Sequence, residues 1–354
     1  MKGTYEAIDM VLRRSGVPSY VPLYEHGFDD GVAAKIMGWQ PLEVDWKSFD
    51  SKLAMWKRRI EFYRQMGFGY LPMELPPRFA PIVRIAAKDF AGDGQRMWAN
   101  EHSGSIQTWA DLENPDYWPT PENAFDYRMF ETVSAQMPEG MKVIGGVSGA
   151  VFEYATALGG LTDVCIKTVD DPAFVNRLFD RIGTTFIGIT GRLLNMPNFG
   201  ALRMGDDLGF KNGTFFSPAQ LRKYVFPWHR QMAKMAHDAG VPYALHSCGN
   251  IELVMEDLIE DVGIDARHSF EDVILPVTEA KRKWGRRIAL LGGLDVDFLG
   301  RKTPSEIEEY AKRTLEICAV GGGYAMGSGN SIASYIPPEN FLAIKRATDA
   351  FNGN

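Results

Sequence analysis

Eight short apolar runs, each separated from the next by a longer amphipathic stretch, restrict the fold of this chain more than any other feature. They are Val21–Glu25, Tyr70–Glu74, Lys142–Val147, Ala201–Met204, Tyr243–Ser247, Ala266–Phe270, Ile288–Gly292 and Tyr324–Gly327. Strand-like runs that alternate with helical patterns argue for parallel βα units, and eight of them predict a closed (β/α)8 TIM barrel. The rival, a doubly wound open sheet, lacks the G-x-G-x-x-G turn expected after its first strand. The intervening segments carry ordinary helix punctuation. Ser217-Pro218 opens a helix running to His237 with Gly240 as its stop, Thr303-Pro304-Ser305-Glu306 opens one leading to Cys318, and Pro337-Pro338-Glu339 opens the last. No linker or repeat divides the chain, so residues 1–354 read as a single barrel domain. Residues 75–120 are too long for a plain connection and read as a lid or insertion over the barrel mouth.

Composition narrows the function classes. The chain has 354 residues, 45% hydrophobic and 23% charged, with no apolar run near the roughly 18 residues of a membrane span. A net charge of -7 disfavours nucleic acid, whose phosphates need a basic surface. The opening MKGTYEAIDM holds no apolar h-region, and three cysteines (165, 248 and 318) are an odd, sparse set. Both features predict a cytoplasmic protein without disulfides. The oligomeric state is left open, a homo-oligomer included.

In such a barrel the loops after the strands form the active site. Taken in order, the ends offer Glu25-His26, Glu74, Ser148, Asp206-Asp207, His246 with Cys248, Ser269 with Glu271, Asp295, and Ser328 with Asn330. On one barrel these become a polar, acidic ring. His246 and Cys248 end the run Tyr-Ala-Leu two residues apart, so their side chains point the same way and converge. Imidazole and thiolate are zinc ligands, but a catalytic site usually needs a third, which must come from another strand end such as Glu271. The expected catalytic groups are His246, Asp206, Asp207 and Glu271; the expected substrate contacts are Glu25, His26, Glu74, Ser148, Ser328 and Asn330. Plainer roles compete. Asp206-Asp207 suits a turn cap, Glu271 a helix-start acid, and Asp295 a brace for its Gly-rich turn. His102, His229 and His237 fall on expected loop or helix surface and are assigned no chemistry; Cys165 reads as a small core residue.

The stretch RMGDDLGFKNGTFFSPAQLRKYVFPWHRQMAKMAHDAGVPYALHSCGN, with GIDARHSFED, LLGGLD and GGGYAMGSGNSIASYIPPENFLAIKRA, resembles the uroporphyrinogen decarboxylase superfamily. More narrowly it resembles the corrinoid-dependent methyltransferase branch. The likeness covers the C-terminal half. It implies a (β/α)8 barrel and, for the thiol methyltransferases of the branch, zinc held by a His-x-Cys pair and a later Cys in a Gly-rich loop. The pair maps onto His246 and Cys248, and the later position onto Ser328; Cys318 lies ten residues earlier in a helical pattern. With one thiolate missing, zinc is expected to be weakly held or absent, with Glu271 as a substitute ligand. PLYEHGFDD stands where the decarboxylases carry an Arg-rich signature, which counts against a tetrapyrrole carboxylate substrate. The resemblance therefore implies a methyltransferase working between a small methylated substrate, with aryl methyl ether O-demethylation favoured, and the cobalamin of a partner corrinoid protein. The alternatives are a uroporphyrinogen-decarboxylase-like lyase and a methylcobalamin:thiol methyltransferase.

Overall fold

A computed structural model describes residues 3–88, 95–99 and 102–353. Its strands are β1 (Tyr70–Leu75), β2 (Arg84–Lys88), β3 (Gln95–Ala99), β4 (Lys142–Val147), β5 (Phe199–Gly205), β6 (Gly209–Phe210), β7 (Gly213–Thr214), β8 (Tyr243–His246), β9 (Ala266–His268), β10 (Ala289–Leu291) and β11 (Tyr324–Ala325). Seven of them form one parallel sheet in the order β1-β4-β5-β8-β9-β10-β11. The two antiparallel pairs, β2-β3 and β6-β7, are separate hairpins. Helices intervene along the sheet, and β5 is buried from end to end. Register carries the site: Leu202 pairs with Tyr243, and His246 with His268, so the ends of β5, β8 and β9 lie side by side.

The expected run Val21–Glu25 does not form a full strand. Leu23 makes a single parallel bridge to Met326, with Tyr24 N donating to Met326 O at 2.7 Å and Met326 N to Pro22 O at 2.9 Å. Pro22 has no N–H to extend the ladder, which limits the pairing. On its other side the segment is fixed by the Tyr70 hydroxyl, which accepts from Glu25 N at 2.7 Å and donates to Glu25 O at 2.9 Å. A Cβ at Gly327 would stand 1.6 Å from Tyr24 O, so only glycine permits this close approach.

One helical reading needs correction. The expected helix from Ser217 to His237 is two helices, Pro218–Tyr224 and Phe226–Asp238, because Pro227 cannot donate to the preceding turn. Ser217 does cap the first, in a reciprocal box with Gln220. The 75–120 segment contains the β2-β3 hairpin and helix Trp109–Glu113, while residues 89–94, 100 and 101 lie outside the described part. Much of the cover over the cavity described below comes from earlier in the chain, from helices Asp30–Met37 and Phe49–Met66. Among the described residues no helix is long and apolar enough to cross a membrane.

Candidate active site

Three histidines from three places in the sequence meet at the end of the sheet. The His26 ring stacks on His246 with centroids 4.1 Å apart, and His246 Nδ1 lies 2.7 Å from His268 Nδ1. His268 Nε2 lies 3.2 Å from the Ser328 carbonyl oxygen, which can only accept. His268 therefore carries its proton on Nε2. Burial holds its pKa well below the usual range, so the ring is neutral and its Nδ1 is bare. His246 must donate from Nδ1, and its own Nε2 is left with a free lone pair. Burial keeps His246 neutral as well, pulling its pKa down to about 4 against the opposing pull of Asp207.

That lone pair faces a donor set. Cys248 Sγ is 3.4 Å from His246 Nε2, and Asp207 Oδ1 is 3.8 Å away. Asp207 is placed by the Cys248 backbone N–H, which donates to Oδ1 at 2.8 Å. Asn330 Nδ2 reaches Cys248 Sγ at 3.3 Å. Burial, and then the charge of Asp207, push the Cys248 thiol up, so it is protonated without a cation nearby. Ligand atoms around a tetrahedral zinc stand about 3.3–3.8 Å apart for bonds of roughly 2.0–2.3 Å. A bare imidazole nitrogen, a thiol and a carboxylate at these spacings fit a metal ion. Glu271, the expected third ligand, is outside the set, though near enough to Cys248 to raise its thiol further. The His26–His246–His268 trio is equally compact, but there His246 and His268 spend their Nδ1 atoms on each other.

Ser328 is not an open ligand position. Its hydroxyl donates to Glu25 Oε2 at 2.5 Å and its N–H to Glu25 Oε1 at 2.9 Å. Glu25 is enclosed, and burial pushes its pKa up to about 8 against the pull of those two bonds. The pair ties the first segment of the chain to the loop after β11, and it seats the carbonyl that fixes the His268 tautomer.

Beside the histidines a cavity of about 350 Å³ opens, lined by Phe28, Trp39, Trp56, Phe62 and Tyr63 among others. At its polar end stand His26, Glu74, Ser148 and Arg203. Arg203 is buried, with Nε donating to Glu74 Oε1 at 2.8 Å and Nη1 to the Tyr24 hydroxyl at 3.3 Å. Glu74 Oε2 is also 3.8 Å from His26 Nε2. A second cavity, of about 360 Å³, shares Ser148 with the first and is lined by Glu153 and Asp207. Burial holds the Glu153 pKa well above the carboxylate range, and the charges of Asp207, Asp206 and Glu74 add to this. The second cavity thus presents a carboxyl whose protonated form is favoured.

Asp206 does not join this cluster. It is fully buried, with one oxygen accepting from Glu153 N at 2.9 Å and the other from Phe152 N at 3.1 Å and facing His229 Nε2 at 2.7 Å. It caps helix Val151–Gly159 from a distance in sequence and so positions Glu153. Its partner His229, expected on a helix surface, is fully buried and bonded to the Tyr243 hydroxyl at 2.6 Å. Asp295 caps helix Val296–Arg301 and holds Asp272 N, as a brace for its turn should. Cys318 is buried in helix Pro304–Cys318. Sequence reasoning missed His268, Arg203 and Glu153. His268 had a signal, since it sits in ARHSF at a strand end; Arg203 in an apolar strand and Glu153 in a helix had none.

A uroporphyrinogen decarboxylase (URO-D) family model matches residues 97–351. The uroporphyrinogen decarboxylase of Shewanella sp. (strain W3-18-1) is 24% identical over 271 residues, covering 73% of this chain and 72% of that protein. The Methylobacillus flagellatus enzyme is 30% identical over 81 residues, 23% of each chain. A methyltransferase from Methanosarcina mazei superposes with a TM-score of 0.70 over 99% of both chains at 17% identity, which shows a common fold. With its polar cluster gathered at the ends of a parallel sheet and three quarters of its length aligned, the chain belongs to the uroporphyrinogen decarboxylase (URO-D) family.

Proposed function

We propose that this protein is a methyltransferase that removes the methyl group of an aryl methyl ether and passes it to the cobalamin of a partner corrinoid protein. The observation that carries the reading is the aromatic-lined cavity, which shares Ser148 with the cavity of Glu153 and Asp207 and whose His26 stacks on His246 of the Asp207–His246–Cys248 donors. PLYEHGFDD, standing where the decarboxylases carry an Arg-rich signature, disfavours the decarboxylase-like reading. The fold common to this chain and the Methanosarcina mazei methyltransferase supports the choice. The extended Leu23 segment, bridged to Met326, we read as the eighth stave of a closed (β/α)8 barrel.

The chain's own residues have defined tasks. The aromatic walls hold the ring flat and exclude water, so the methyl carbon is presented in line. As the C–O bond breaks, its electron pair stays on oxygen. Glu153 supplies a proton to that oxygen, and Arg203 stabilises the charge that develops before the proton arrives. Asp206 and the helix cap keep Glu153 in place. A cob(I)alamin carried by the corrinoid partner would supply the nucleophile for the methyl group. A zinc ion held by Asp207, His246 and Cys248 would supply Lewis acidity at the departing oxygen.

The donor set also favours a second reading, methyl transfer from methylcobalamin to a thiol, because zinc-bound thiols are acidified. The test separates the two. Purified protein is mixed with cob(I)alamin and a panel of methoxyarenes, or with methylcobalamin and a panel of thiols. Methylcobalamin and a phenol formed in the first mixture support demethylation. Product only in the second contradicts it.

A further inference from the structure

The lining of the aromatic cavity carries an unbalanced charge. Its ionisable residues besides the neutral His26 are Arg58, Arg59, Arg203, Asp30 and Glu74. Arg203 is matched by Glu74, and Arg59 by a two-pronged pair with Asp30 at 2.8 Å for each bond. Arg58 is left over. Its guanidinium lies over the Trp39 ring, 4.8 Å from the centroid, with Nη2 donating to the Gln40 carbonyl at 2.6 Å. Among the described residues no carboxylate stands within ion-pair distance of it. Three arginines against two carboxylates leave one positive charge at the cavity of a protein whose net charge is -7.

The cavity holds two further unanswered groups. Tyr63 and His26 line it, and the Tyr63 hydroxyl and His26 Nδ1 are enclosed without a partner. Buried polar atoms are rarely left unpaired, so such atoms point to a missing ligand. We infer that the cavity takes an aromatic ring bearing a carboxylate and that Arg58 selects for the carboxylate. The aromatic walls account for the ring. Arg58, held in place by Trp39 and Gln40, offers the planar fork that suits a carboxylate. That this ligand is the methyl donor rests on the reading above; the charge preference does not.

The test compares two probes of equal shape, para-anisate and its uncharged amide para-anisamide. Binding is read by calorimetry and by fluorescence of Trp39 and Trp56. Wild-type protein should bind the acid at least about 10-fold more tightly. Arg58→Gln should weaken the acid alone and bring the two within about 2-fold, Arg58→Lys should restore part of the difference, and Lys57→Gln should leave it unchanged. Equal binding of both by the wild type, binding of neither, or a preference that survives Arg58→Gln would overturn the inference. Methyl transfer to cob(I)alamin is followed on the same samples. Charge-selective binding without transfer supports this inference and counts against the proposed reaction; transfer with no charge preference does the reverse.

Discussion

His246 and His268 meet Nδ1 to Nδ1 at 2.7 Å, and only one arrangement of protons satisfies them. The Ser328 carbonyl takes the His268 Nε2 proton, so the His246 Nε2 lone pair is turned toward Cys248 and Asp207. A metal ion bound to this set would therefore depend on a residue that touches no ligand atom. His268→Phe should lower zinc affinity about 10- to 100-fold, as loss of a bond that orients a ligand typically does. Competition with a chromophoric chelator measures this, with thermal unfolding as the check on the fold.

The same geometry ranks the ligands. Zinc bound to protein prepared without chelator should be lost in Asp207→Ala and Cys248→Ala and retained in Glu271→Gln and Cys318→Ala, as read by elemental analysis. Retention in Cys248→Ala would show that the ion sits elsewhere.

Asp206 should behave as a structural acid. Removing one partner of a buried charged network costs about 3–5 kcal/mol. Asp206→Ala should lose stability on that scale in urea unfolding, because Phe152 N, Glu153 N and His229 all lose their acceptor. Asp207→Ala, with a half-exposed side chain and a single backbone bond, should lose far less.

Glu25 makes stability pH-dependent in a definite direction. Its pKa rises from an ordinary 4.5 when unfolded to about 8 when folded. The folded state binds the extra proton, so the contribution is complete below pH 4.5 and is lost as pH climbs through 8. Between those limits the slope approaches about 1.4 kcal/mol per pH unit. Urea unfolding of the wild type and Glu25→Gln across this window should show the slope in the first and its absence in the second.

Much of this arrangement was legible in the residues, and the rest failed for physical reasons. The alternation of apolar runs revealed the parallel sheet, since all seven of its strands overlap expected runs. It overstated Val21–Glu25 because Pro22 breaks the ladder while leaving the hydrophobic pattern intact. The i, i+2 spacing brought His246 and Cys248 together, as strand geometry requires. Asp206 and Asp207 looked alike because they are adjacent, yet neighbours on a strand end point in opposite directions, and only Asp207 reaches Cys248. Glu153 was invisible since its chemistry comes from burial and from three carboxylates distant in sequence.

The central claim is tested most directly by the absorbance of cob(I)alamin mixed with wild-type protein and a methoxyarene such as para-anisate, beside Glu153→Gln. The account predicts conversion to methylcobalamin with release of one phenol per methyl group, slowed about 10²–10⁴-fold in Glu153→Gln. Cob(I)alamin left unmethylated by every methoxyarene, or a Glu153→Gln rate equal to wild type, would contradict it.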